Sequence, residues 1–300
     1  MGALRNARLT RSTIGAVTEQ LTTRDGRTLA YSRTGSGPAL VCHPGGPGFS
    51  SLYLGDLAGL GDELELVLLD PRGTGGSDPA SGYQIADYAS DLEELREQLG
   101  LDRMLLFGHS HGGVVAIEYA AQHPERVERL VLASTLARFG AEQSAAMEAA
   151  IAARAGEPWY DDAVAALKTE LEGNFETGRE LMDLTLRMMP FYFASYGDEE
   201  RAYIESLAGD ELCVDSLRLW EKEIFEHFDL RPRLPELTMP TLVITGSEDF
   251  ITGPRAAEDL ATIPGAETVV LEGSGHMIFV EARDRFRDAV LSFLGVGAPA

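Results

Sequence analysis

Ser110 stands within Gly108-His109-Ser110-His111-Gly112, between the apolar run Met104-Leu105-Leu106-Phe107 and a stretch of helical character, Val114 to Gln122. A strand that turns into a helix across such a segment lifts a serine hydroxyl above the strand ends, where it can act as a nucleophile. Glycines two places before and two places after the serine permit the sharp bend, because a Cβ at either position would meet neighbouring chain. The N–H of His111 then points toward the oxygen of the carbonyl that Ser110 attacks. Such chemistry requires three further parts: a base, an acid that orients the base, and a second oxyanion donor.

His276 is the candidate base. It follows the apolar run Glu267 to Leu271 after the turn Gly273-Ser274-Gly275, so it also sits at a strand exit. The other five histidines are placed differently: His123 precedes Pro124 at a helix end, His227 lies in a helical segment, and His43, His109 and His111 flank other motifs. The candidate acid is Asp249, with Glu248 as its rival, where Thr241-Leu242-Val243-Ile244-Thr245 runs into Gly246-Ser247-Glu248-Asp249. Asp249 would accept the Nδ1–H of His276 and leave Nε2 free to take the serine proton. The second oxyanion donor is expected from His43-Pro44-Gly45-Gly46-Pro47-Gly48, at Gly46 with Gly45 close behind. Asp70-Pro71-Arg72-Gly73-Thr74-Gly75-Gly76-Ser77 has no Walker lysine and opens no helix. It therefore reads as a structural loop tied down by an Asp70–Arg72 ion pair, not as a phosphate cradle.

The elements that position these residues alternate. Val17 to Thr23 and Arg27 to Thr34 flank Asp25-Gly26 as a β-hairpin. Short apolar runs at Ala39 to Cys42, Leu64 to Leu69, Arg103 to Phe107, Val127 to Ala133, Thr241 to Thr245 and Glu267 to Leu271 read as strands. Helical spacing appears at Ile85 to Gln98, Val114 to Gln122, Pro254 to Thr262 and Val280 to Leu294. An α/β fold follows, a mostly parallel sheet with helices on both faces. Between Leu136 and Pro235 the alternation stops, and helices are expected at Ala141–Arg154, Asp161–Leu171, Gly178–Met189 and Asp215–Glu226. Residues 136–235 thus form an inserted helical cap on a core of residues 17–135 and 236–300. Residues 1–16 carry three arginines and no acid and read as a leader without regular structure.

Composition narrows the classes. The formal charge is −23, from 25 basic and 48 acidic residues, which opposes binding to nucleic acid or to an anionic membrane. Residues 136–235 alone carry 10 basic and 21 acidic residues, a field that favours cationic or amine-bearing substrates. No apolar stretch reaches the ~20 residues that span a bilayer. Cys42 and Cys213 form no metal-binding pattern and read as free thiols of a reducing, cytoplasmic compartment. No metal or cofactor is expected.

From about Val17 to Leu294 the chain resembles the α/β-hydrolase superfamily, whose order of serine, acid and histidine matches Ser110, Asp249 and His276. Gly45-Gly46-Pro47-Gly48, with Asp70-x-Arg72-Gly73-x-Gly75-x-Ser77, resembles the prolyl aminopeptidase (proline iminopeptidase) and tricorn-interacting aminopeptidase branch. That resemblance implies the triad named above, an oxyanion hole at Gly46 and His111, and cap glutamates that grip a substrate's free α-amine. Trp220, Glu221 and Glu223 are the matching candidates. Trp159, Tyr160, Met188, Met189, Phe191, Tyr192 and Phe193 are candidates to line an apolar pocket. Two positions depart from the branch: Pro44 replaces the histidine before Gly-Gly, and His111 replaces the aromatic that commonly follows the serine. The expected function is a cofactor-independent serine hydrolase acting on a small peptide or amide with a free N-terminus. The alternatives are an esterase, lactonase or thioesterase on a small metabolite, or a ligand receptor on the same fold. Epoxide hydrolases and haloalkane dehalogenases of this fold carry aspartate in place of the serine.

Overall fold

The computed structural model describes residues 16–225 and 227–297. The expected leader, apart from Ala16, lies outside the described residues. β1 (Val17–Thr22) and β2 (Thr28–Gly35) form the hairpin, with Thr22 opposite Thr28. β3 (Ala39–His43), β4 (Glu65–Leu69), β5 (Met104–His109), β6 (Val127–Ala133), β7 (Thr241–Gly246) and β8 (Glu267–Leu271) run parallel to one another. The strands lie side by side as β1-β2-β4-β3-β5-β6-β7-β8, with β2 antiparallel to both of its neighbours.

The helices in chain order are α1 (Ile85–Gln98) and α2 (His111–Gln122), then α3 (Ala141–Ala152), α4 (Tyr160–Leu171), α5 (Gly178–Met188), α6 (Asp198–Ser206) and α7 (Val214–Leu219) between β6 and β7, and finally α8 (Gly253–Leu260), α9 (Ile278–Glu281) and α10 (Arg283–Leu294). Alternation along each strand divides the core into two layers. Leu106, Leu132 and Val243 pack with Leu92 of α1, Val115 of α2 and Leu260 of α8. Phe107, Val131, Leu242 and Ile244 face the other way, toward Phe279 of α9 and Phe286 and Val290 of α10. Burying each such side chain contributes about 1.5–3 kcal/mol, so the strands that carry the site are anchored on both faces.

Three elements differ from expectation. The last helix is broken at Ala282 (φ −115°, ψ 39°) into α9 and α10. α6 was not anticipated, because its sequence buries Ile204 alone and offers no apolar stripe. The helix expected at Asp215–Glu226 is α7 followed by a π-helical turn, Trp220–Ile224, in which Phe225 N–H reaches back to the Trp220 carbonyl at 2.8 Å. At the neck of the inserted segment, an isolated antiparallel backbone bridge joins Arg138 and Asp229, and the Leu230 N–H donates to the Ala137 carbonyl at 2.8 Å. Cys42 and Cys213 are free and buried. Among the described residues no helix is long and apolar enough to cross a membrane.

Candidate active site

The C-terminal ends of β3, β5, β7 and β8 open on one edge of the sheet, and each delivers one part of the site. Ser110 follows β5 at φ 55° and ψ −123°, backbone that costs a non-glycine residue about 1–3 kcal/mol. Its surroundings hold it there. Ser110 N–H donates to the Ala133 carbonyl at 3.0 Å, while the Ser110 carbonyl accepts from Thr135 Oγ1 at 2.6 Å and from Gly113 N–H at 2.9 Å. The flanking glycines allow the approach that the bend demands. A Cβ on Gly108 would stand 2.4 Å from the Gly112 carbonyl oxygen, and one on Gly112 would stand 2.3 Å from that of His43. Gly112 therefore lets the start of α2 press against the exit of β3, bringing the His111 and Gly46 backbones to the same side of Ser110.

His276 and Asp249 meet as a buried pair, with Nδ1 2.9 Å from Oδ2. Asp249 also accepts from Thr252 Oγ1 at 2.5 Å on Oδ2, and from the N–H groups of Ile251 and Thr252, both at 3.0 Å, on Oδ1. Burial alone would raise the Asp249 carboxyl. The His276 charge and the bonds from His276 and Thr252 outweigh it and hold the group well below the usual carboxylate range. The rival Glu248 is exposed, and its N–H donates to the Ser274 carbonyl at 2.9 Å. His276 N–H donates in turn to the Tyr192 carbonyl at 2.7 Å, and the two rings meet edge to face at 5.4 Å. No hydrogen bond joins Ser110 Oγ to His276 among the described residues, although both line the same cavity.

The two candidate oxyanion glycines differ in their hydrogen bonds. Gly45 N–H is occupied by the Tyr53 hydroxyl at 2.6 Å, whereas Gly46 N–H has no acceptor among the described residues. His111 opens α2, so its N–H has none within the helix. The His111 ring is buried edge-on to Trp220 at 4.7 Å, and burial holds it well below its ordinary pKa and therefore neutral.

These groups line a cavity of about 980 Å3 that runs up into the inserted helices. Of the residues expected near substrate, Trp220, Glu221 and Tyr192 line it. Glu223 does not; it is exposed on the outer side of the π-helical turn. Trp159 and Phe191 pack on each other at 5.0 Å, with Phe191 buried against Phe250, so they support the cap and stay out of the cavity. Tyr160, Met188, Met189 and Phe193 likewise do not line it. Sequence reasoning missed Glu170, near the end of α4, which lines the cavity close enough to Glu221 to feel its charge. Burial and the Glu221 charge push Glu170 up to about 8, and burial raises Glu221. Among the described residues neither carboxylate forms a salt bridge, although the Lys222 charge acts on Glu221 and partly offsets its burial.

The Asp70–Arg72 pair is corrected. The Arg72 guanidinium reaches Asp91 at 2.7 Å and the carbonyls of Gly82 and Asp87, while Asp70 accepts from Ser51 and Gly76. The loop is tied down, but by two separate anchors to α1 and to the segment after β3.

A family model described as the alpha/beta hydrolase fold matches residues 38–282. The chain belongs to that family. Among α/β hydrolases it is 29% identical over 286 residues to a proline iminopeptidase of Saccharolobus solfataricus, covering 88% of this chain and 87% of the relative. It also superposes on the enol-lactonase of Burkholderia xenovorans LB400 with a TM-score of 0.70 at 26% identity, over 92% of this chain and 100% of that one. An esterase from Exiguobacterium antarcticum shares the fold with a TM-score of 0.71 at 23% identity, over 92% and 98%. The resemblance to the proline iminopeptidase branch read from the sequence thus holds for this α/β hydrolase.

Proposed function

We propose that the protein is a cofactor-independent serine hydrolase that cleaves small amides or peptides with a free amine through an acyl-enzyme. Ser110 attacks the carbonyl as His276 Nε2 takes its proton, and the negative oxygen settles between the N–H groups of Gly46 and His111. His276 then protonates the leaving amine, and water releases the acyl group by the same steps in reverse. Asp249 fixes the imidazole tautomer and stabilises its charged form. Each oxyanion donor contributes about 3 kcal/mol to the transition state.

The observation that carries the substrate class is the carboxylate pair, Glu170 and Glu221, in a largely apolar cavity: Arg218 and Lys222 also line it, yet among the described residues neither forms a salt bridge to the pair, and both carboxyls are raised. An ammonium group seated between them would restore the ionised form of both and be held near Ser110. The similarity to proline iminopeptidase supports this reading. A second reading, hydrolysis of an ester or lactone, is favoured by the volume and apolar lining of the cavity and by the similarity to an enol-lactonase. Fluorophosphonate labelling that disappears in Ser110→Ala tests the nucleophile, and rapid turnover argues against a receptor. A panel of proline and alanine naphthylamides, their N-acyl counterparts, p-nitrophenyl esters and lactones tests the substrate. Ester turnover without amide turnover would overturn the aminopeptidase reading and favour the second.

A further inference from the structure

Behind Ser110 lies a chain of buried polar contacts that the hydrolytic steps do not use. Gly45 N–H donates to the Tyr53 hydroxyl at 2.6 Å, that hydroxyl lies 2.7 Å from His109 Nδ1, and His109 Nε2 lies 3.2 Å from the His276 carbonyl oxygen. The direction of every bond can be worked out. A carbonyl only accepts, so His109 Nε2 must carry a proton. Burial and the neighbouring His276 charge hold His109 down to about 3, so the ring is neutral and has that one proton only. Nδ1 is then a bare acceptor, and the Tyr53 hydroxyl, kept protonated by burial, donates to it. The lone pairs left on the Tyr53 oxygen receive Gly45 N–H.

The geometry points to Tyr53 and His109 as positioning residues that lock the oxyanion loop to the backbone of the general base. The chain starts at Gly45, one residue before the proposed donor Gly46, and ends on His276 itself. By taking Gly45 N–H, Tyr53 also leaves Gly46 as the free donor on that loop. Packing fixes the hub. The Tyr53 ring lies 5.2 Å from Phe49 and 6.2 Å from Phe279, the His109 ring lies 4.8 Å from that of His276, and the Tyr53 carbonyl accepts from Tyr203 in α6 at 2.7 Å. Misplacing either end by a fraction of an ångström weakens stabilisation of the transition state while leaving ground-state binding in place.

This inference rests on the Ser110 reading, and the experiment separates the two. Tyr53→Phe removes a single oxygen and keeps the ring packing. With active sites counted by fluorophosphonate titration, kcat should fall about 10- to 50-fold and KM change less than about twofold, since removing an oxyanion donor outright costs about 10²–10³. Affinity for a boronate or trifluoromethyl ketone should fall in parallel with kcat. His109→Leu should lose about as much, and the double variant little more than the worse single one, because both break one chain. His109→Gln, whose amide can still donate to the His276 carbonyl, should regain most of the loss. A merely structural role would lower the melting temperature and the count of active sites, but not kcat per active site. Should Tyr53→Phe not fold, the contrast between His109→Leu and His109→Gln carries the same reading. Wild-type kcat in Tyr53→Phe, additive losses in the double variant, or no rescue by Gln overturns the proposal. Wild-type protein that neither labels at Ser110 nor turns over overturns the Ser110 reading and this one with it.

Discussion

Asp249→Asn tests the polarity of the acid–base pair with the least disturbance to packing. In the native carboxylate, Oδ1 accepts from two backbone N–H groups, Ile251 and Thr252, at 3.0 Å each. In the amide, only the carbonyl oxygen can remain there, because an NH2 would face two donors. The NH2 is therefore forced into the position of Oδ2, 2.9 Å from His276 Nδ1 and 2.5 Å from Thr252 Oγ1. The Thr252 hydroxyl can rotate to accept. His276 can only present a bare Nδ1, which places its proton on Nε2, where it can no longer receive the proton of Ser110. A tautomer trap of this kind costs about 10⁴-fold in kcat, equivalent to about 5 kcal/mol of transition-state stabilisation. The assay is kcat and KM on the best substrate of the panel, with circular dichroism and thermal melting to confirm the fold. KM should stay within about threefold, because Asp249 is buried behind the imidazole. The exposed Glu248, changed to Gln, should stay within about twofold of wild type. Activity within tenfold of wild type in Asp249→Asn, or a collapse in Glu248→Gln, would refute the assignment of the acid.

Three further perturbations have expected outcomes. Glu170, pushed up to about 8 from 4.5, holds a proton in the folded state that the unfolded chain releases, so stability declines as pH rises from 4.5 to about 8. Glu170→Gln should therefore melt about 5–10 °C above wild type near pH 9 and with it near pH 4, while KM rises more for free-amine than for N-acyl substrates; equal melting at both pH values counts against the buried acid. Glu281 accepts from Gly275 N–H at 2.6 Å on one oxygen and from Ala194 N–H at 2.8 Å on the other, so Glu281→Gln sets a donor against a donor and should cost about 1–3 kcal/mol, read as a lower melting temperature. An unchanged melt would show that the strap between the His276 loop and the cap is slack. Gly112→Ala would drive a methyl group onto the His43 and Pro44 carbonyls, so fluorophosphonate labelling should drop at least about 100-fold; normal labelling would mean that the oxyanion loop yields freely.

How much of this was legible in the sequence follows the range of the forces involved. The strands and α1 could be read because period-2 and period-3.6 patterns are local, and the stations of Ser110, Asp249 and His276 followed because each comes directly after a strand. The choice of Asp249 over Glu248 was not fixed by sequence, since both leave the same strand and only the turn to Thr252 points one of them inward. Gly46 could not be separated from Gly45 either, because the deciding contact is a tyrosine eight residues away in chain that returns through a short 3₁₀ turn. Glu170 was invisible for a different reason. It sits in an Ala- and Glu-rich helix among many surface carboxylates, and nothing local marks the one that points into the cavity. Arg72 was assigned to its sequence neighbour Asp70, whereas α1 offers it a buried carboxylate, Asp91, together with two carbonyls.

The division between core and cap is also a division of chemical labour, but the structure couples the two. In the proposed mechanism, strand exits and backbone N–H groups set the bond-breaking apparatus, and these rest on the packed sheet. The groups that could choose a substrate, Glu170, Trp220 and Glu221, come from α4 and the π-helical turn, where Trp220, Glu221 and Lys222 line the cavity while Glu223 is exposed. A lid that merely covered the site could vary without touching catalysis. Here the Tyr192 carbonyl holds the backbone of His276, the Tyr192 ring packs on its imidazole, and Glu281 ties Ala194 to Gly275. On the proposed mechanism, a substrate that shifts this stretch of the inserted segment therefore shifts the proposed general base, His276. Fit in the cavity should accordingly register in kcat as well as in KM, the pattern expected when binding energy from remote groups is used in the transition state.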